Sequence, residues 1–314
     1  MKMAITGGTG FVGSHLAKRV IAEGHSVVVL SRRADRQAGE RNESARVTCV
    51  SSDLSDIPVL ADAFAGCDAV AHCAGINREI GSQTFQRIHI DGTRNVVEAA
   101  KHTGVRRIAL MSFLRARPDC GSPYHESKWA AEEIVRNSGL DFTVVKAGMV
   151  YGRGDHMLDH LSHTIYTLPI LATVGLKEKA IRPLAVDDLI HILSAALVDG
   201  RLATHTVAVT GAEELYLSDA ARLVAKVIER DVWIVPAPLW FHYALAQVCE
   251  WAMKVPLVAK AQVRILSEGV VEPATICDPL PADLMPVRCF TPEQIRGGLP
   301  EAGPFGVHDL RCWA

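Results

Sequence analysis

The chain has 314 residues, of which 49% are hydrophobic and 22% are charged, so it is long enough to bury a sizeable core. Its formal net charge of −2 gives no indication of nucleic acid as a partner. The eight cysteines are scattered without a C-x-x-C pair or a zinc-like spacing, which favours reduced thiols. The sequence shows neither a secretory leader nor an apolar run of about 18 residues, and it therefore predicts a cytoplasmic protein.

Short apolar runs alternate with helical patterns through the first half of the chain. The runs read Val-Val-Val-Leu or Ala-Val-Ala-His without polar alternation, as expected of parallel strands that are covered on both faces. This rhythm predicts an α/β fold with a doubly wound parallel (Rossmann) sheet. The predicted strands are 2–6, 26–30, 47–50, 69–73, 107–111, 142–146 and 206–209, and the predicted helices are 12–23, 59–64, 92–103, 124–137, 183–197, 218–229 and 239–254.

A glycine-rich loop joins the first predicted strand to the first predicted helix. Gly7, Gly10 and Gly13 follow the spacing G-x-x-G-x-x-G. Glycines there allow the backbone to approach a diphosphate, and the helix N-terminus faces the negative charge of that group. The loop predicts a dinucleotide site whose first contacts are Thr6, Gly7, Gly10, Phe11, Val12 and Gly13.

The end of the second strand distinguishes the two nicotinamide cofactors, because NAD binders place an acidic side chain there to bind the ribose hydroxyls. This chain instead has Ser31, Arg32 and Arg33, with no acid before Asp35. Two guanidinium groups and a hydroxyl suit a 2′-phosphate, so the sequence favours NADP(H) over NAD(H). The alternative is a solvated basic turn.

Further cofactor contacts are predicted after the third and fourth strands. Asp53, followed by Leu54, could bond the adenine amine. Cys73, Ala74 and Gly75 would lie against the cofactor, because ligands bind at the carboxyl ends of parallel strands.

Ser112, Tyr124 and Lys128 form the predicted catalytic group. Ser112 directly follows the fifth predicted strand, and the other two lie four residues apart on one face of the next helix. The ammonium would lower the pKa of the phenol and allow it to act as an acid or base, while the serine holds the reacting carbonyl. A surface helix pair is the alternative, but the position between strands five and six favours an active site.

Together these motifs resemble the extended or atypical short-chain dehydrogenases/reductases of the NAD-dependent epimerase/dehydratase superfamily. The resemblance covers about residues 1–200. It implies that Tyr124 is the acid/base, that Lys128 binds the nicotinamide ribose and that Ser112 orients the substrate. Further matching strings are Gly92-Thr93-Arg94-Asn95-Val96, Val150-Tyr151-Gly152 and Arg182-Pro183-Leu184-Ala185-Val186-Asp187-Asp188.

Two departures from the superfamily pattern narrow the expected chemistry. Its sugar-nucleotide dehydratases carry an adjacent Asp-Glu pair where this chain has Phe113-Leu114, so a dehydratase is not expected. Its sugar-nucleotide epimerases usually have an Asn before the Val-Tyr-Gly string, where this chain has Gly148-Met149. This difference weakens the case for a UDP-sugar as the substrate.

Two functions remain open. The first is an NADP(H)-dependent oxidoreductase or epimerase acting on a small hydroxyl or carbonyl compound. The second rests on a resemblance to atypical members related to the NADPH-binding accessory subunit of respiratory complex I. Such a protein would be a non-catalytic NADPH-binding structural or assembly factor of a membrane complex. Retention of Ser112, Tyr124 and Lys128 favours the enzyme.

The dinucleotide-binding domain is predicted at 1–150, with 183–210 returning to it, and a smaller substrate lobe at 151–182 and 211–314. The last 80 residues are rich in proline and read as irregular apart from the helix at 239–254. The aromatic segment 239–255 favours packing on the small lobe, and the alternative is contact with a partner or membrane surface. No metal site is expected: His156, His160 and His163 are interpreted as pocket-lining or surface residues.

Overall fold

The structure, a computed structural model, describes residues 1–32, 46–253 and 258–305. Arg33, one of the two predicted phosphate-binding arginines, therefore lies outside the described residues. The described residues divide into two compact units. The first unit comprises the described parts of Met1–Ala147, Val186–Val209 and Pro273–Met285, and the second those of Gly148–Ala185, Thr210–Glu272 and Pro286–Ala314.

Strands are distributed over both units. In the first unit they are long enough for a continuous sheet, and in the second they form short pairs. The described strands are β1 Lys2–Thr6, β2 Ser26–Ser31, β3 Val47–Ser51, β4 Ala69–His72, β5 Arg107–Phe113, β6 Asp141–Ala147, β7 Val150–Tyr151, β8 Ile170–Val174, β9 Ala180–Ile181, β10 Leu184–Ala185, β11 His205–Val209, β12 Leu215–Tyr216 and β13 Trp233–Ala237.

Helices connect these strands and cover the sheet. The described α-helices are α1 Phe11–Ala22, α2 Ile57–Phe64, α3 Gly92–His102, α4 Pro123–Arg136, α5 His156–Thr167, α6 Val186–Leu197, α7 Leu217–Val227, α8 Leu239–Ala252, α9 Lys260–Glu268 and α10 Pro292–Gly298. A π-helix, Gln86–Asp91, precedes α3, and a 3₁₀ turn covers Ala282–Leu284. Within the described ranges, none of the helices is long and apolar enough to cross a membrane.

The sheet of the first unit has seven parallel strands in the order β11-β6-β5-β4-β1-β2-β3. The order reverses at β1, whose neighbours are β2 on one side and β4 on the other. Met3, Ala4 and Ile5 of β1 have no exposed surface, which explains their apolar run. The predicted Rossmann fold is confirmed, and the ligand site of such a sheet lies at the carboxyl ends of the strands where the order reverses.

Strand β5 is two residues longer than the sequence predicts. Ser112 was expected after the strand, but it lies within it and pairs with Lys146 of β6. The next residue, Phe113, is buried and pairs with Ala147, so the apolar strand extends past the polar serine. The expectation that Ser112 follows the strand is therefore wrong.

The second unit is built from short strand pairs and its own core. β7 pairs with β10 and β8 with β13 in parallel, whereas β9 pairs with β12 in antiparallel fashion. Tyr151, Leu158 and Phe290 belong to its buried apolar cluster. Two expectations from the sequence for residues beyond 182 are wrong. The helix expected from 183 begins at Val186 after β10, and the stretch expected to be irregular contains β13, α9 and α10.

Candidate nucleotide-binding and active site

The glycine loop packs directly on the end of β4. Gly7 has a φ of +67°, and a Cβ added there would lie 2.7 Å from the Cα of Ala74. A Cβ on Gly13 would collide with the carbonyl oxygen of Gly7. Only glycine fits these positions, because the backbone needs a left-handed turn at one and a close helix–loop contact at the other. The loop therefore lies at the reversal point of the sheet.

The N-terminus of α1 and the end of β2 offer the groups that a dinucleotide needs. Gly10 is the N-cap of α1 and supplies no side-chain cap, and the first turn holds no acidic residue. The amides of that turn can therefore bind an anion. The Ser31 hydroxyl is buried and has no hydrogen-bond partner among the described residues. Uncapped amides and an unpartnered hydroxyl fit a diphosphate with its adjoining ribose.

The remaining contacts predicted near the adenosine differ in their surroundings. Arg32 is exposed, as a phosphate-binding guanidinium at the rim of a site would be. The Asp53 carboxylate accepts a hydrogen bond from Arg87 at 2.6 Å and two from Ser55, and the Ser55 hydrogen bonds lower its pKa. Asp53 would have to share its carboxylate with these partners in order to bind an adenine amine.

Leu54 and Gly75 have structural roles at the same edge of the sheet. Leu54 is buried with a φ of +71°, and its carbonyl oxygen accepts a hydrogen bond from the amide of Asn95 at 2.8 Å. A Cβ added to Gly75 would lie 3.1 Å from the Nζ of Lys128. The end of β4 and the predicted catalytic lysine are therefore brought together.

Lys128 extends from α4 to the ends of two strands. Its ammonium donates a hydrogen bond to the carbonyl oxygen of Met111 on β5 at 3.2 Å, and it adjoins Gly75 after β4. Burial lowers the pKa of Lys128 to about 8, although the negative charge of Glu132 opposes this shift. The ammonium is positioned where a parallel sheet holds its ligand.

Tyr124 lies in an aromatic cluster one turn before Lys128. It is buried, and its ring lies 5.5–5.9 Å, centroid to centroid, from the rings of Phe85, His89, Phe113 and His125. Burial raises the pKa of this phenol, whereas the sequence led us to expect that the neighbouring ammonium would lower it. The phenol therefore keeps its proton at neutral pH, and this state suits a general acid.

Ser112 contacts a buried charged cluster that sequence reasoning did not identify. Its hydroxyl donates to one oxygen of Glu132, which is fully buried on α4. The other Glu132 oxygen accepts from Lys146 at 3.0 Å and from Arg136 at 2.6 Å. A lysine next to two valines in a strand and a glutamate one turn after Lys128 are the sequence signals for this cluster.

A chain of buried hydrogen bonds also connects β1, β4, α3 and the π-helix. Thr6 Oγ1 lies 2.6 Å from His72 Nδ1, and His72 Nε2 lies 3.0 Å from Thr93 Oγ1, which donates to the carbonyl of His89. Because Thr93 uses its own hydrogen there, His72 donates at Nε2 and accepts at Nδ1. Burial lowers the pKa of His72 to about 3, so its ring is neutral.

The same chain continues from His89 to the catalytic helix. His89 Nε2 accepts from the amide of Ile76 at 3.1 Å, so its Nδ1 donates to Ser127 Oγ, 2.9 Å away. The Ser127 hydroxyl donates to the carbonyl of Tyr124 at 3.0 Å. Burial lowers the pKa of His89 to about 2. The π-helix that carries His89 is a geometry often found at functional sites, and sequence periodicity does not identify it.

Two features of the second unit bear on other possible functions. On α8, a stripe of Trp240, Ala244, Gln247, Val248 and Trp251 is exposed, and the two tryptophans are 71% and 76% exposed. This stripe is called the α8 stripe below.

In the ranges that the structure covers, no group of three or more His, Cys, Asp or Glu side chains could hold a metal ion. On α5, burial lowers the pKa of His160 to about 4.

Comparisons with known proteins support a domain that binds a nicotinamide dinucleotide. Residues 7–159 match the model of a family described as NAD(P)H-binding. A ceramide reductase of Caulobacter vibrioides is 35% identical over 153 residues, which cover 49% of this chain and 47% of that protein. The mitochondrial NADH-ubiquinone oxidoreductase 40 kDa subunit of Neurospora crassa is 23% identical over 272 residues, covering 86% of this chain and 72% of the subunit.

Other similarities concern length and fold. An uncharacterised protein of Mycobacterium tuberculosis is 28% identical over 201 residues, covering 63% of this chain, which spans only 20% of that protein's length. A UDP-glucuronic acid 4-epimerase of Bacillus cereus, solved with UDP-glucuronic acid and NAD, has a TM-score of 0.69 at 18% identity. That likeness covers 95% of this chain and 97% of the epimerase, and it shows the fold alone.

The fold, the glycine loop and these comparisons define the class of protein. The chain carries an NAD(P)-binding Rossmann domain. Its fold is shared with the UDP-glucuronic acid 4-epimerase of Bacillus cereus. The resemblance stated from its sequence is confirmed, including the likeness to the respiratory complex I subunit.

Proposed function

We propose that the chain is an NADP(H)-dependent oxidoreductase or epimerase that acts on a small hydroxyl or carbonyl compound. The observation that carries this proposal is the arrangement of α4, from which Lys128 reaches the ends of β4 and β5 with Tyr124 one turn away. A nicotinamide-binding fold alone could serve many functions, but a buried tyrosine and lysine at the ligand edge of its sheet favour proton transfer there.

The cofactor in this proposal is NADP(H). Gly7, Gly10 and Gly13 with the first turn of α1 would bind the diphosphate. Ser31 and Arg32, together with Arg33, would bind the 2′-phosphate, since guanidinium groups pair well with phosphate oxygens. Lys128 would bind the nicotinamide ribose. When bound, the nicotinamide supplies or accepts a hydride.

Tyr124 would move the proton of the reaction. In carbonyl reduction its phenol donates a proton to the carbonyl oxygen, and in the reverse direction it takes that proton back. Burial keeps the phenol protonated at rest, and the Lys128 ammonium would stabilise the phenolate that forms. Ser112 would orient the substrate. Recognition of that substrate is assigned to the predicted lobe at 151–182 and 211–314.

The test of this proposal is hydride transfer from deuterated NADPH. The purified chain is first tested for NADPH binding by fluorescence and then incubated with aldehydes and ketones, and the alcohol products are examined for deuterium. A deuterated alcohol supports the proposal. NADPH that binds without transfer to any compound of the panel contradicts the reductase, and no NADPH binding contradicts the site as a whole.

The cofactor preference has its own test. Replacing Arg32 and Arg33 by Ala should weaken NADPH binding by about tenfold to a hundredfold, because each charged hydrogen bond to the 2′-phosphate is lost. NADH binding should change by less than about twofold. Arg94→Ala, which removes an exposed arginine that pairs with Asp91, is the matched control. Equal losses for both nucleotides would contradict NADP(H) as the cofactor.

The α8 stripe supports a second candidate function. Large exposed aromatic residues at helical spacing favour contact with another surface, and the relative from Neurospora is named as a subunit of a larger oxidoreductase. In this candidate the chain binds NADPH without turnover and joins a membrane complex through 239–255. Co-purification of untagged complex subunits, lost on Trp240→Ser with Trp251→Ser, would support it. A chain that purifies alone and turns over NADPH would contradict it.

A further inference from the structure

Glu132 is a buried residue that contacts Ser112 of the proposed catalytic group and that the mechanism above does not use. It lies on α4 one turn after Lys128 and two turns after Tyr124, so the three side chains share one face of the helix. It has no exposed surface. A buried carboxylate is costly unless it is paired, and its position beside the site calls for an explanation.

The Glu132 carboxylate is paired with two cations. One oxygen accepts from Lys146, which is also fully buried, and from Arg136. The Lys146 ammonium donates a second hydrogen bond, to the carbonyl of Ala116 at 2.8 Å. With two cations on one oxygen, the carboxylate is negative and acts only as a hydrogen-bond acceptor.

This charge state determines what Ser112 can do. The serine hydroxyl has one hydrogen, and that hydrogen is donated to the second oxygen of Glu132. Towards any other group, Ser112 can therefore offer only lone pairs. It can accept a hydrogen bond from a hydroxyl, but it cannot donate one to a carbonyl oxygen.

We propose that Glu132 is a positioning residue that fixes Ser112 as a hydrogen-bond acceptor and keeps a negative charge one turn from Lys128. This inference rests on the proposed function. It deepens that function by assigning the substrate a hydroxyl that donates to Ser112, while Tyr124 serves as the proton donor for the reacting oxygen.

The surroundings of Lys128 support the second part of the proposal. Cys73 and His72 of the β4 segment and His89 of the π-helix are the titratable groups that interact with the lysine from neighbouring elements. Both imidazoles are neutral, and burial raises the pKa of Cys73 to about 12, so the thiol is neutral as well. Among these neighbours, Glu132 is left as the ionised group that can offset the burial of the ammonium.

Glu132→Gln tests the proposal because it changes charge and hydrogen-bond polarity with little change of shape. Lys146 and Arg136 require an acceptor, so the amide oxygen should face them and the amide NH₂ should face Ser112. The serine hydrogen is then released towards the site. The matched control is Glu133→Gln, which loses an ion pair with the same Arg136 but lies on the half-exposed side of α4.

Two measurements are made on both variants and on the unaltered chain. The first measurement gives the KM for the carbonyl substrate, the KM for its alcohol product and the Kd for NADPH. In Glu132→Gln the KM for the carbonyl substrate and the KM for its alcohol product should both rise by about tenfold, because Ser112 no longer accepts a hydrogen bond from the non-reacting hydroxyl that both compounds carry, while the Kd for NADPH stays within about twofold. In a Ser112→Ala background, Glu132→Gln should no longer change KM, since the hydroxyl of residue 112 is absent whether residue 132 is Glu or Gln.

The second measurement is independent of turnover. Competitive labelling of Lys128 with an amine-reactive reagent, read by peptide mass spectrometry over a pH series, gives the titration midpoint of its ammonium. The midpoint should lie near the pKa of about 8 in the unaltered chain. In Glu132→Gln it should fall by roughly one pH unit because the negative charge is lost. Glu133→Gln should leave it unchanged.

Each outcome separates the inference from the proposed function. An unshifted Lys128 midpoint, or equal effects of Glu132→Gln and Glu133→Gln, overturns the role of Glu132 even if the chain is an active reductase. A shifted midpoint in a chain without turnover supports the placement of Glu132 and contradicts the proposed function. If Glu132→Gln does not fold, Glu132→Gln with Lys146→Met removes both buried charges together and takes its place.

Discussion

The helices α4 and α8 are both 14 residues long, but their side chains are arranged in opposite ways. On α4, Glu132 is buried with two cationic partners, and Tyr124 and Lys128 face the ligand edge of the sheet. On α8, Trp240 and Trp251 are mostly exposed. Each arrangement has a cost, since buried charges lose hydration and exposed apolar surface orders water.

The difference between the two helices corresponds to the two proposed functions, proton transfer on α4 and contact with another surface on α8. Polar groups that are buried and held by neighbours are suited to catalysis, because their positions and charge states are fixed before a ligand arrives. Exposed aromatic groups are suited to association, because their burial by a partner is favourable. The predictions below separate these two functions.

The largest effect is expected at Tyr124. Tyr124→Phe removes the proton donor but keeps the ring in its aromatic cluster, so kcat should fall by about a thousandfold. NADPH binding, measured by fluorescence, should stay within about twofold. Tyr216→Phe removes an exposed phenol and is the control. Full activity of Tyr124→Phe would show that α4 is not the catalytic helix.

The next largest effect is expected in the glycine loop. Gly13→Ala places a methyl group against the carbonyl of Gly7, which must move and distort the diphosphate site. The Kd for NADPH should rise by at least about tenfold, with turnover lost in parallel. Gly297→Ala is the control because open space surrounds that position on α10. Normal NADPH binding by Gly13→Ala would contradict the nucleotide site.

The pH dependence of kcat/KM should reflect Lys128. Its ammonium has a pKa of about 8, lowered by burial, so the charged form prevails below that pH and is lost above it. If the reaction needs the charge, kcat/KM should fall about tenfold for each pH unit above the pKa. Lys128→Arg stays charged and should remove this decline, although at a lower rate. A decline that persists in Lys128→Arg would assign it to another group.

The smallest effect on turnover is expected on α8. Trp240→Ser with Trp251→Ser should leave NADPH binding and kcat/KM within about twofold, because both side chains face solvent. The same variant should lose any co-sedimentation of the chain with the membrane fraction of its native cell. Ile276→Ser, at a fully exposed apolar residue of the first unit, is the control. A large loss of turnover in this variant would contradict the separation of the two functions, because it would show that α8 also affects catalysis.

The Rossmann sheet could be predicted because each of its strands and the glycine loop has a local pattern. β1 was predicted with the bounds that the structure shows, since its buried apolar run ends at the first glycine turn. The short strands β7 to β10 were not predicted. They are only two to five residues long and are stabilised by partners far away in the sequence, such as β13 for β8.

Part of the candidate site could also be predicted from local sequence patterns. Tyr124 and Lys128 are four residues apart, so their common face follows from helix geometry alone. The contact of Ser112 with Glu132 spans 20 residues and depends on the packing of α4 on β5. The neutral state of His89 follows from its burial, and the π-helix that carries it has no sequence signature.

The most direct test of the central claim is a crystal structure of the chain with NADPH. The claim is that the glycine loop and α4 serve one NADP(H) site. We expect the diphosphate at the first turn of α1, the 2′-phosphate on Arg32, and Lys128 Nζ within about 3.2 Å of a nicotinamide ribose hydroxyl. A complex in which the nicotinamide ribose contacts neither Lys128 nor Tyr124 would contradict the claim.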